Sequence, residues 1–251
     1  MSNRHKKIGI KQALRLEWMD KVLDLKLAGL SKKDIRKELH IYLADKKDDG
    51  TIGKRGEATR DIAVCMLMNI WGAPQDELIS FNQELLAQVK NNNRIIYHWA
   101  MISSAYPFWF KVAFQTGRLF NLQEQTTKKQ IIQRIREEYG DRSSVIRSAQ
   151  RVIQAFVAWG LLKESTMKGC YEKGETIIIS DYKPAVTLIE SSLYATEEGK
   201  ASISMLVSNP ALFPFKLPIM TGDTISQYST RIEVANSGFG NELLTLNRKK
   251  L

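Results

Sequence analysis

The sequence predicts a mainly α-helical fold in three parts. A helical N-terminal domain (1–104) is followed by a winged helix-turn-helix (105–182). A small α+β part (183–251) then carries a β-hairpin. Three observations predict this. Apolar residues recur at spacings of three and four along most of residues 10–160, the period of one helix face. Between 126 and 160, two amphipathic segments flank the short turn DRSS, and a β-branched run comes soon after them. Beyond Lys183, Pro, Gly, Ser and Thr become more frequent, and the chain closes on an alternating pattern.

The elements follow in order. Leu14, Trp18, Val22 and Leu25 form one face of a helix from about Ile10 to Ala28, and Gly29 supplies its C′ residue. Ser31 caps the next helix, with Asp34 at its positive end and Ile35 and Leu39 facing inward. DDGTIGKRG (48–56) is a turn-rich break. The nearly unbroken apolar run from Ile62 to Trp71 predicts a buried third helix, Glu57 to Trp71. Three helices with a basic approach to the third fit either a helix-turn-helix or a plain bundle. Helices at 75–90 and 94–105 meet at Asn91-Asn92-Asn93. Pro107 opens a further helix, and the aromatics of YPFWF read as core rather than as a base-stacking platform.

Residues 126–140, TTKKQIIQRIREEYG, give a helix with Thr126 or Thr127 as cap and Ile131, Ile132, Ile135 and Tyr139 inward. Asp141 or Ser143 is available to cap the next helix, 144–159. On that helix, Ile146, Ala149, Val152, Ile153 and Phe156 take one side. Arg147, Gln150, Arg151 and Gln154 share a different stripe, at i, i+3, i+4 and i+7. The stripe contains no acid, whereas an ordinary solvated face mixes Glu with Lys. Arg and Gln are side chains able to bond guanine and adenine edges twice. Gly160 ends the helix, Lys173-Gly174 marks a turn, and Thr176–Ile179 a strand, which together predict a wing at 163–180. Further on, 184–195 and 198–207 are candidate short helices, and RIEVANSGFGNELLTLN (231–247) is a hairpin.

The charge points to a polyanionic partner. The chain has 251 residues and a net charge of +10. Residues 1–60 hold 16 Lys and Arg against 9 Asp and Glu, and residues 111–181 hold 12 against 8. The stretch between them is slightly acidic, 2 against 4. Such an excess suits nucleic acid first and an anionic membrane surface second. The expected DNA-binding set is Arg142, Ser144, Arg147, Gln150, Arg151 and Gln154, with Lys128, Lys129 and Lys173 on the backbone and Lys54, Arg55 and Arg60 in the N-terminal part. Lys128 and Lys129 stand in the first turn of a helix, where a cation is electrostatically misplaced unless a phosphate faces it.

No apolar run reaches the length of a membrane span, and the N-terminus lacks the pattern of a secretory signal. The expectation is a cytoplasmic, nucleoid-associated protein. Cys65 and Cys170 read as reduced thiols, with Cys65 buried on a helix. The scattered His5, His40 and His98 predict no metal site, and no cofactor is expected. Phosphate-binding loops and nucleophile elbows are absent from the sequence. The carboxylate pairs Asp48-Asp49 and Glu137-Glu138 read as solvated, so no enzyme is expected.

Residues 105–162, from AYPFWFKVAF to FVAWGLL, together with LEWMDKVLDLKLAGLSKKDIRKEL and GKRGEATRDIAVCMLMNIW, resemble the BrxA-like family of BREX systems. These are small helical, winged-helix DNA-binding proteins of bacterial phage-defence islands. The resemblance covers the first two-thirds of the chain and implies double-stranded DNA binding, no catalysis by this subunit, and partner defence proteins. Two other classes compete. One is a winged-helix adaptor that binds protein, and the other a helical RNA-binding protein.

Overall fold

The computed structural model describes residues 3–47, 49–89, 93–167, 169–236 and 242–247. Among the described residues the fold is mainly helical with three small sheets. A 3-10 turn at Asn3–Lys6 leads into an irregular strap, residues 7–15, with Gly9 at φ +66° and a bend at Gln12. The helix expected from Ile10 therefore begins only at Leu16. Ile10 and Leu14 are buried all the same, because the strap lies against other elements. Helices α1 (Leu16–Leu27), α2 (Lys32–Tyr42) and α3 (Glu57–Leu67) follow. Ser31 Oγ accepts the Asp34 N–H at 3.2 Å and caps α2. Gly29 takes φ +77°, the left-handed conformation that glycine adopts without steric cost. Helix α3 ends in a π-type turn at Met68–Gly72. Cys65 is exposed on α3, against the expectation, because it falls on the arc of the helix opposite Val64 and Leu67. Asp48, the joint expected at Asn91-Asn92 and most of the turn expected at 236–240 lie outside the described residues.

Helices α4 (Ile79–Gln88), α5 (Arg94–Ala105) and α6 (Pro107–Phe120) come next, with Pro107 at the start of α6 as expected. Strand β1 (Gln125–Thr127) precedes α7 (Lys128–Tyr139) and α8 (Ser143–Ala158). Thr127 and Gln130 form a reciprocal capping box at the start of α7. Strands β2 (Leu162–Glu164) and β3 (Cys170–Lys173) then complete an antiparallel sheet of order β1-β3-β2.

The hairpin is therefore shifted from its expected place. Its turn lies at 165–169, and Lys173 is the last residue of the return strand. Ile177–Ile178 (β4) pairs instead in parallel with Phe215–Lys216 (β6). A long-range parallel partner leaves no local signature, so the β-branched run reads as belonging to the nearest turn.

Helix α9 (Tyr182–Ala195) is buried from Pro184 onward and packs against α5. Strand β5 (Lys200–Ser202) replaces the start of the second helix expected at 198–207, and only α10 (Ile203–Val207) remains helical. Helix α11 (Gly222–Tyr228) leads to β7 (Ile232–Asn236) and β8 (Glu242–Leu246), the expected hairpin, which β5 extends to three strands of order β5-β8-β7. Glu190, 2% exposed, accepts from Arg231 Nε at 2.5 Å and from Ser229 Oγ at 2.9 Å, and Arg231 also reaches Glu84. This buried group fixes the C-terminal strands to α9 and α4.

One apolar cluster runs through all three parts of the chain. At its centre Trp99, Trp109, Phe156 and Phe213 meet ring to ring. A second polar group lies on α5. Trp71 Nε1–H donates to His98 Nδ1 at 3.0 Å, which leaves His98 Nε2–H to face Asp20 at 3.2 Å. Burial holds the His98 pKa below its ordinary value despite Asp20. Hydrogen bonding from His98, with help from Arg94, lowers that of Asp20.

Both shifts have the same consequence. A depressed folded-state pKa means that the unfolded chain binds the proton first as pH falls. The His98 contribution is complete above its unfolded pKa of about 6.5 and is lost as pH falls below it; that of Asp20 is lost below about 3.9. The melting temperature should therefore fall between about pH 7.5 and pH 5.5. In His98→Gln, whose amide can serve both partners, that difference should shrink. A wild-type melting temperature that is flat over this range would contradict the assignment.

Candidate nucleic-acid interface

Helix α8 is where the charge pattern and the fold coincide. Val145, Ala149, Val152, Ile153 and Phe156 are each fully buried, so one arc of the helix is committed to the core. Ile146, expected to be buried, is only partly so. On the opposite arc Arg147 and Gln154 are exposed, and Gln150 and Arg151 are half-exposed. These four share a stripe because 3.6 residues per turn bring i, i+3, i+4 and i+7 together.

The stripe is also free of acids. Helix α8 contains no Asp or Glu. Among the described residues, neither Arg147 nor Arg151 has a carboxylate partner or any hydrogen bond from its side chain. The arginines on the preceding helix differ. Arg134 lies 3.7 Å from Glu137, and Arg136 is bonded to Asp141. Glu138 is likewise occupied, at 2.6 Å from Lys111. The two α8 guanidiniums are thus presented to solvent uncompensated.

The start of α8 differs from expectation. Arg142 is the N-cap residue, and no side chain caps the helix. Asp141 is drawn to Arg136, and Ser143 is the first helical residue. Ser144 is exposed in the first turn, where backbone N–H groups lack helical acceptors. The Arg142 side chain folds back onto the Tyr139 carbonyl at 3.2 Å.

Lys128 and Lys129 begin α7, and the Lys128 backbone N–H donates to Gly169 O at 3.0 Å. That bond sets both lysines beside the β2–β3 turn. Lys173 is at the other end of β3, opposite Leu162, and lines a hollow with Glu124 and Glu172. It stands at the end of the sheet away from the turn.

Arg55 is not the surface cation expected for a DNA contact. It is 5% exposed, lies 4.7 Å over the Trp18 ring, and donates to Lys46 O at 2.8 Å and Gln12 Oε1 at 3.2 Å. It is an internal staple between the strap and the 44–56 loop, because an aromatic face and two oxygens satisfy it away from water. Lys54 is exposed on that loop, and Arg60 is half-buried on α3. The structure does not bring Lys54, Arg55 and Arg60 into one exposed basic surface.

Two residues outside the expected set matter to the geometry. Ser148 Oγ donates to Ile10 O at 2.7 Å, and Trp159 Nε1–H donates to Leu14 O at 2.9 Å. Both tie α8 to the strap. A serine on an apolar arc is a readable sign that a polar partner must arrive from elsewhere.

Among the described residues no group of His, Cys, Asp and Glu is arranged to hold a metal ion, and no helix is long and apolar enough to cross a membrane. Comparison with protein-family models, with curated proteins and with solved structures finds no match.

Proposed function

We propose that the protein is a non-catalytic double-stranded DNA-binding protein and that residues 107–173 are its winged helix-turn-helix. In this reading α8 enters the major groove, and the turn between β2 and β3 is the wing. The observation that carries it is the exposed stripe of Arg147, Gln150, Arg151 and Gln154, with both arginines uncompensated by any carboxylate among the described residues. The order α6, β1, α7, α8, β2, β3, with β3 central in the sheet, supports the winged assignment. Lys128 and Lys129, beside the wing, would meet backbone phosphates. The resemblance to BrxA-like proteins adds a bacterial phage-defence setting, with other defence proteins as partners.

The test is a binding titration by fluorescence anisotropy with duplex DNA, single-stranded DNA and duplex RNA. For duplex DNA, log K should fall linearly with log salt, with a slope near −0.9 per phosphate neutralised. Equal affinity for duplex RNA would favour the RNA-binding alternative. No duplex binding at low salt would leave the protein-adaptor alternative in its place.

A further inference from the structure

We propose that the N-terminal strap is a second DNA-contacting line, taking phosphates beside α8 through Lys7 and Lys11, with Lys6 next to them. The inference rests on the reading of α8 as the duplex-binding helix and extends its footprint to a segment more than a hundred residues away in sequence.

The strap is attached to α8 at two points, Ser148 to Ile10 and Trp159 to Leu14. Residues 148 to 159 rise about 16 Å along the helix axis. Residues 10 to 14 bend at Gln12 and so span less than the roughly 13–14 Å that four extended residues would reach. The strap thus follows α8 in the same direction, held at Ser148 at one end and by the Trp159 side chain at the other. Ser148 is four residues after Ser144 and three before Arg151, so the strap borders the Ser144–Arg151 edge of the exposed stripe.

The strap's own side chains divide by face. Ile10 and Leu14 are each 1% exposed, and Gln12 is buried against Arg55. Lys7 and Lys11 point outward, and Lys6 is exposed just before them. From Met1 to Arg15 there is no Asp or Glu. Arg4 and Arg15 are paired with Glu77 and Glu17, at 2.7 and 2.6 Å. The side chains of Lys6, Lys7 and Lys11 have no such partner among the described residues.

Lys7 and Lys11 also line a cleft of about 360 Å³ with Asn69, Gln75 and Tyr106. Its one carboxylate is Asp61, which His40 approaches at 3.4 Å. The strap thus repeats the property that marks α8: exposed cations on an acid-free segment.

A helix in the major groove has a phosphate ridge on either side of it, because the groove is only about 12 Å wide. The strap, on the Ser144–Arg151 edge of α8, meets the ridge on that side.

The full-length variant Lys6→Ala/Lys7→Ala/Lys11→Ala tests this against a duplex of known preference. All three side chains are exposed, so its melting temperature should match wild type. The salt slope should become shallower by about 0.9 for each phosphate that is no longer neutralised, up to about 2.7 for three. Sequence preference should be unchanged, because bonds to phosphate carry no sequence information directly. The corresponding triple-arginine variant should keep the wild-type slope. Amine-reactive ester labelling of the wild type, read by mass spectrometry, gives a check independent of substitution. Bound duplex should protect Lys7 and Lys11 and leave Lys216 unchanged. Wild type that binds duplex, with a triple-alanine variant of equal slope and unprotected strap lysines, overturns the strap alone. Wild type that binds no duplex overturns the reading of α8, and the strap with it.

Discussion

Phe156→Ala should lower the unfolding free energy by about 3–5 kcal/mol, the range found when a large buried aromatic is truncated. Phe156 is fully buried on the core arc of α8. Its ring stacks on Trp99 with centroids 5.5 Å apart and planes inclined by 28°. It meets Trp109 edge-on at 4.9 Å and Phe213 at 5.7 Å. Those neighbours come from α5, from α6 and from the segment after α10, so the void left by alanine has walls from all three parts of the chain. Walls fixed by separate elements collapse poorly, and a cavity that stays open adds to the lost transfer energy. Urea unfolding gives the value directly from the midpoint and slope. A loss under about 1 kcal/mol would mean that the site relaxes around the smaller side chain or that α8 is seated differently.

The α8 stripe is legible in the sequence because its signal is local. A period of 3.6 separates Phe156 from Arg147 whatever the rest of the chain does. The Thr127 and Ser31 caps are legible for the same reason, since each acts on an N–H three residues on. What stays hidden depends on distant partners. Arg55 looks like a surface cation until Trp18 and Gln12 arrive to bury it. Ile177 and Ile178 look like a wing until Phe215 and Lys216 claim them. Three-residue β1 carries too little pattern to mark a strand, and its pairing with β3 across more than forty residues has no local trace. The strap reads as part of α1 because Ile10 and Leu14 suit a helix face, yet their carbonyls are held by Ser148 and Trp159, more than a hundred residues on.

The second large effect is on binding. Arg147→Ala/Arg151→Ala removes both uncompensated guanidiniums from the α8 face. Neither has a hydrogen-bonding partner within the described residues, and both are at least partly exposed, so thermal stability should stay close to wild type. An arginine that bonds a guanine through O6 and N7 contributes about 1–3 kcal/mol of discrimination there. One such pairing corresponds to roughly 5- to 150-fold in affinity at its preferred base. Preference at that base should relax as well, which distinguishes this variant from the strap lysines, whose removal should weaken all duplexes alike.

The measurement that bears most directly on duplex DNA binding by α8 is therefore an anisotropy titration of this double variant beside wild type. The protein would be shown to be folded by an unchanged melting temperature, and binding would be read on a preferred and a scrambled duplex at two salt concentrations. The account predicts a marked loss of affinity for the preferred duplex and near-equal binding of the two sequences. A double variant that is thermally normal and binds the preferred duplex as tightly and selectively as wild type would contradict it.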